Sequence, residues 1–128
     1  MKVNIIIALI LLFFSGCEEP VDKVYSIRIE NASSDTIYFY ASYIYPDTTI
    51  SSEMSRLKLA YPNTYAHWDS KEEWEEILPN DTISIFILKK DTVDTYSWTE
   101  ISKEYRISKR YDLGINELKE QNWTITYQ

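Results

Sequence analysis

One cysteine and one histidine bound the side-chain chemistry open to this chain of 128 residues. Cys17 is the single thiol, and a thiolate is the strongest nucleophile any side chain here can supply. His67 is the single imidazole, so a cage of histidines around a metal is excluded and a Ser-His-acid relay would have to recruit it. No Gly-x-Ser-x-Gly segment exists to expose a nucleophilic serine. His67 lies beside Trp68 in a turn-rich stretch and reads as an exposed or packed side chain. Glu72, Glu73, Glu75 and Glu76 crowd around Trp74. Glycoside hydrolysis needs two carboxylates roughly 5 to 9 Å apart across a cleft, whereas these four read as a solvated face. Asp91 and Asp94 are close enough in sequence to share a calcium ion, yet no Asp-x-Asp-x-Asp-Gly loop frames them, and they read as solvated loop acids. Gly16 and Gly114 are the only glycines, which excludes a glycine-rich phosphate cradle. We expect no catalytic residue, no metal and no cofactor.

The context of Cys17 is more specific. A start carrying Lys2 leads into an apolar run from Ile5 to Phe14, then Ser15-Gly16-Cys17. The run is too short to cross a bilayer, which takes roughly 20 apolar residues. A basic start, a short apolar core and small residues form a secretion signal, but the usual Ala-x-Ala cleavage site is missing. Phe14-Ser15-Gly16-Cys17 resembles the lipobox of bacterial lipoprotein precursors, with Phe14 where leucine is commoner. The resemblance implies that residues 1–16 are a signal peptide and that the Cys17 thiolate accepts a diacylglyceryl group. The freed Cys17 amine would then be acylated as well. Each buried methylene adds about 0.8 kcal/mol, so one chain holds a protein only marginally and two or three hold it durably. The competing reading is a free Cys17 thiol at the end of an uncleaved anchor. Glu18-Glu19-Pro20 follow at once. In the Bacteroidota, acids just behind the lipidated cysteine resemble a signal for the outer face of the outer membrane. The same residues also read as a charged tether spanning 17–23. Either way the expected location is the cell envelope, lipid-anchored in the outer membrane.

Composition narrows the rest. The formal charge is −7, and losing residues 1–16 removes only Lys2, leaving about −8. Such a surface disfavours nucleic acid, whose phosphates demand basic patches, so no nucleic-acid partner is expected. With its only cysteine committed to lipid, the fold has no internal disulfide. Eleven tyrosines and four tryptophans argue against disorder.

Residues 24–128 then read as one globular domain. From Val24 to Glu30, Tyr25, Ile27 and Ile29 alternate with Ser26, Arg28 and Glu30, the period of a half-buried strand. The turn cluster 31–35 and a second alternating run, Thr36 to Tyr45, predict an antiparallel hairpin. Leu57, Leu59 and Tyr61 suggest a short strand before the Pro62-Asn63 turn. Ser70 and Glu73 have the spacing of a capping box and predict a helix through Leu78. Asp81 to Lys89 is apolar on both faces and reads as a central strand. Ser97 and Glu100 form a second capping-box pattern. Leu113 and Leu118 stand at hydrophobic-staple positions around a helix opening near Gly114, and Trp123, Ile125 and Tyr127 alternate to the end. The expected fold is α+β, an antiparallel sheet of about four or five strands with two or three short helices on one face. An Ig-like seven-strand sandwich is the alternative.

The closing stretch Tyr111-Asp112-Leu113, Leu118 and Asn122 to Tyr127, with Tyr38-Phe39-Tyr40 and Tyr45-Pro46-Asp47-Thr48, resembles a group of small Bacteroides-type lipoproteins. That resemblance implies compartment and class but no activity. If Ile37, Phe39 and Tyr43 face the core, Tyr38 and Tyr40 face away. Exposed rings at strand spacing stack on sugars or anchor a protein partner; if helices cover that face, they are ordinary core. Four tripeptides, at Thr36, Thr48, Thr82 and Thr92, each preceded by Asp, resemble the acceptor pattern of O-glycosylation in exported Bacteroidota proteins. Asp-Thr also arises wherever a turn precedes a strand. The expected function is a non-catalytic lipoprotein held in the membrane through Cys17 and binding a glycan or protein partner. A small cell-surface hydrolase using acidic residues is the alternative.

Overall fold

The computed structural model describes residues 22–51 and 56–128. Cys17 and the leader lie outside the described residues. The elements run β1 (Tyr25–Asn31), β2 (Ile37–Ser42), β3 (Lys58–Ala60), β4 (Thr64–Ser70), α1 (Trp74–Ile77), β5 (Thr82–Lys89), α2 (Lys90–Thr95), α3 (Trp98–Glu104), β6 (Lys109–Gly114), α4 (Ile115–Glu120) and β7 (Thr124–Tyr127). The fold is α+β. Its strands form two sheets where a single one was expected, in orders β4-β1-β7 and β3-β2-β5-β6. All pairs are antiparallel except β1 with β7, which is parallel.

The core follows from the periodicities. In β1, Ile27 and Ile29 are buried between partly exposed Ser26, Arg28 and Glu30. β5 is buried from Ile83 to Leu88 and lies between β2 and β6, as a strand apolar on both faces must. Ile83, Ile85 and Ile87 turn with Phe39 toward the three-stranded sheet and share one core with Ile27, Ile29 and Trp68. The Phe39 and Trp68 rings, 6.3 Å apart, bridge the two sheets. On the far face of β5, Phe86 stacks on Tyr40 with centroids 4.7 Å apart. Trp98 of α3 meets Tyr40 edge-on at 6.2 Å, and Tyr105, just after α3, meets Phe86 in the same way at 6.4 Å. On this side α3 forms a third layer over the four-stranded sheet, whereas α1 sets Trp74 edge-on to Tyr43, 6.1 Å away, on the inter-sheet side. Each fully buried Ile, Leu or Phe contributes about 1.5–3 kcal/mol, and β5 places five of them at 0 % exposure.

Several local expectations need correction. The first two strands make no hairpin, because β1 and β2 belong to different sheets. Asn31, 1 % exposed, holds the crossing. Its Nδ2 donates to the carbonyls of Asp35 (2.7 Å) and Ala60 (3.1 Å), and its Oδ1 accepts from the amide (3.0 Å) and hydroxyl (2.6 Å) of Ser33. A buried amide with both ends satisfied is tolerated, and here it turns the chain from one sheet to the other. Thr64 to Ser70 is a strand, with Trp68 inward and Tyr65, His67 and Asp69 exposed. Ser70 ends that strand, and its hydroxyl is bound to the Glu72 backbone. The expected cap there is absent, and α1 starts at Trp74 after Glu73 with no side-chain cap. Asp91 and Asp94 lie on α2, not on a loop, and Asp94 pairs with Lys90. Trp123 adopts a left-handed backbone (φ 56°) and stands just outside β7.

Three other local expectations, on α3, around Gly114 and at the last strand, match the structure. Ser97 and Glu100 form a reciprocal capping box on α3. Leu113 and Leu118 are both buried on either side of Gly114. The last strand pairs into its sheet along β1. Among the described residues no helix is long and apolar enough to cross a membrane.

Candidate functional site

The expected pair of exposed rings on β2 does not exist. Tyr40 is 9 % exposed, closed in by Phe86 and Trp98 because α3 roofs that face. Burial pushes its hydroxyl pKa far above the ordinary tyrosine value, with Tyr105 adding to the rise. Tyr38 is half-buried, between Leu59 of β3 and Leu88 of β5.

The aromatic surface lies instead on the three-stranded sheet. One face of that sheet packs on the core. The other is not covered by any helix or strand among the described residues, as the exposure of Tyr65, His67, Asp69 and Thr126 shows. Tyr65 is 53 % exposed. The Arg28 guanidinium lies 3.6 Å from its ring centroid, and the His67 ring is 5.5 Å away, tilted by 50°. Arg28 Nε is 3.1 Å from Glu30 Oε1, and Glu30 Oε2 accepts from the Thr126 hydroxyl at 3.3 Å. The strand register brings these groups together, with Arg28 opposite His67 and Thr124, and Glu30 opposite Tyr65 and Thr126. The product is a flat cation–aromatic platform beside a row of hydrogen-bonding groups. A cleft of about 240 Å³ opens at its end, lined by Arg28, Glu30, Asn31, Asn63, Thr64 and Tyr65 among others. Tyr61, 60 % exposed, stands on the turn into β4.

Two of the four acids considered for hydrolysis, Glu73 and Glu75, are separately engaged. Glu73 accepts from the Tyr25 hydroxyl at 3.2 Å. Glu75 pairs with Lys119 at 3.0 Å, and its own backbone amide followed by Lys119 holds its carboxyl below the usual range. Both line a cleft of about 430 Å³ with Trp74 and Trp123. His67 is exposed. No group of three His, Cys, Asp or Glu side chains able to hold a metal ion occurs among the described residues.

Thr36, Thr48, Thr82 and Thr92 are each partly buried. Thr82 opens β5 and Thr92 lies in α2, while Thr36 binds the Lys90 amide through its carbonyl. Thr48 sits in the loop after β2. There the amide (3.0 Å) and hydroxyl (2.8 Å) of Thr49 bind Asp47 and hold its carboxyl below the usual range.

Tyr65, Arg28 and Glu30 escaped selection in the sequence because β4 did. The alternation Tyr65-x-His67-x-Asp69 against Ala66-x-Trp68 was the available signal. Comparison with protein families, characterised proteins and solved structures found no match to this chain.

Proposed function

We propose that this is a non-catalytic binding lipoprotein of the outer membrane, held through a lipid on Cys17 and engaging a glycan or protein partner with the open face of its three-stranded sheet. The Tyr65–Arg28 platform carries the reading. Tyrosine and arginine dominate the residues that supply binding energy at interfaces, and here the two are stacked on a face nothing else covers among the described residues. Flat rings beside hydrogen-bonding side chains also suit sugar rings. The surface moves from Tyr38 and Tyr40 to Tyr65, while the class of function stays as the sequence suggested.

The test uses the full chain purified in detergent, on glycan arrays and in pulldowns from outer-membrane extracts. Tyr65→Ala should lower binding about tenfold or more, the equivalent of losing roughly 1.4 kcal/mol. Tyr38→Ala should leave binding unchanged. A ligand retained equally by Tyr65→Ala and Arg28→Ala would refute the assignment.

A further inference from the structure

Away from the turn at 61–63, β3 and β4 part into different sheets, and a cleft of about 350 Å³ opens between them. Tyr43, Arg56, Leu57, Lys58, Trp68 and Asp69 line it. Its volume lies at the small end of ligand sites, which run from about 300 to 1,000 Å³.

Each part of the lining offers a defined interaction. Arg56 and Lys58 are exposed, and neither makes an ion pair among the described residues. Two cations against one acid, Asp69, in this lining favour an anionic group, and an arginine fork suits a carboxylate. The Trp68 indole N–H donates to the Tyr43 hydroxyl at 2.7 Å. A phenol that accepts keeps its own proton to donate, so Tyr43 can serve a ligand oxygen. Asp69, on the outward side of the edge strand β4 and so at the rim of the cleft, accepts from the Ser26 hydroxyl through Oδ1 at 2.5 Å, which leaves Oδ2 as an acceptor for a hydroxyl. Leu57 with the rings of Tyr43 and Trp68 supplies an apolar wall.

A carboxylate, several hydroxyls and an apolar ring face on one small molecule describe a sugar acid. We infer that the cleft between β3 and β4 binds a uronic acid residue, its carboxylate on Arg56 and Lys58 and its hydroxyls toward Asp69 and Tyr43. This site is separate from the Tyr65 platform and stands or falls independently of it.

The experiment is calorimetric titration of the full chain in detergent with a galacturonate oligosaccharide, its neutral galactose counterpart and sulfate. The uronate should bind saturably, and more weakly as salt rises. The neutral sugar and sulfate should each bind at least tenfold more weakly. Arg56→Gln and Lys58→Gln should each cost about tenfold in affinity, as expected for a charge-assisted hydrogen bond. Both positions are exposed, so an unchanged thermal melt will show that the variants fold. Tyr65→Ala should leave uronate binding intact. The inference is overturned if the uronate does not bind, if neutral sugar or sulfate binds as well, or if the two charge variants leave affinity unchanged. Loss of uronate binding in Tyr65→Ala alone would place that ligand on the sheet face and overturn it too.

Discussion

The Tyr40 ring lies flat on Phe86 beneath Trp98, and a Tyr40→Phe change deletes only its hydroxyl. That oxygen is buried and has no hydrogen-bond partner among the described residues. Mutational data set the cost of an unpaired buried hydroxyl at about 1–3 kcal/mol. Its removal, with the ring kept in place, should therefore raise stability by roughly 1 kcal/mol or more at neutral pH. For a domain of about 100 residues that corresponds to a rise in melting temperature of at least about 4 °C. The alkaline side gives an independent readout. Burial raises the Tyr40 pKa in the folded protein, while the unfolded chain ionises near pH 10. The unfolded state then binds fewer protons than the native one above that pH, and stability falls by up to about 1.4 kcal/mol per pH unit from this group. Tyr40→Phe removes that share, so its advantage should widen as pH rises from 9 to 11. Scanning calorimetry and urea titration across that range are the assays. A lower melting temperature at pH 7, or an advantage that stays constant with pH, would refute the reasoning and mean that the hydroxyl has a partner.

Three further outcomes can be checked directly. Mass spectrometry of the membrane fraction should show the chain beginning at a lipidated Cys17, with any added hexose mapping first to Thr48; Cys17→Ala should accumulate as unprocessed or soluble protein. Ser97→Ala breaks the reciprocal cap of α3 and should cost about 0.5–2 kcal/mol in chemical denaturation. Deleting 124–128 removes buried Ile125 and Tyr127, about 1.5–3 kcal/mol each, along with the bond from the Ala32 amide to the Tyr127 carbonyl. Against a total of 5–15 kcal/mol the cooperative melt should disappear, whereas deleting 18–23 should leave it unchanged.

Elements whose partners are their own neighbours in sequence were the legible ones. The α3 cap, the Leu113–Leu118 staple and the alternation of β1 and β5 each depend on residues a few positions apart. What depends on distant contacts was not legible. Nothing local to residues 25–42 says that β1 and β2 leave each other for separate sheets, since the deciding bond runs from Asn31 to Ala60. Ser70 and Glu73 had the spacing of a cap, but Ser70 was already engaged by the end of β4 and the Glu72 backbone. Tyr38 and Tyr40 point away from Phe39 and the inter-sheet side as their alternation required; the helix that buries Tyr40 arrives more than fifty residues later. The candidate site was missed for the same reason, because Tyr65 and Arg28 meet only through the pairing of β4 with β1.

The parallel pairing of β1 with β7 gives the domain a polarity. From Tyr25, the end nearer the proposed lipid on Cys17 in sequence, the chain travels the length of β1, roughly 20 Å, before reaching Asn31. Ser26 and Asp69 pair near the base, whereas Asn31 pairs with Thr64 and Tyr127 at the top. The Arg56–Lys58 cleft lies toward the Tyr25 end of β1, and the cleft beside Tyr65 at the Asn31 end. Because β7 climbs in the same direction, Gln128 emerges at that upper pole. A reporter fused after Gln128 would sit there, beside the Tyr65 cleft and at the opposite end of the sheet from the segment that carries the proposed anchor.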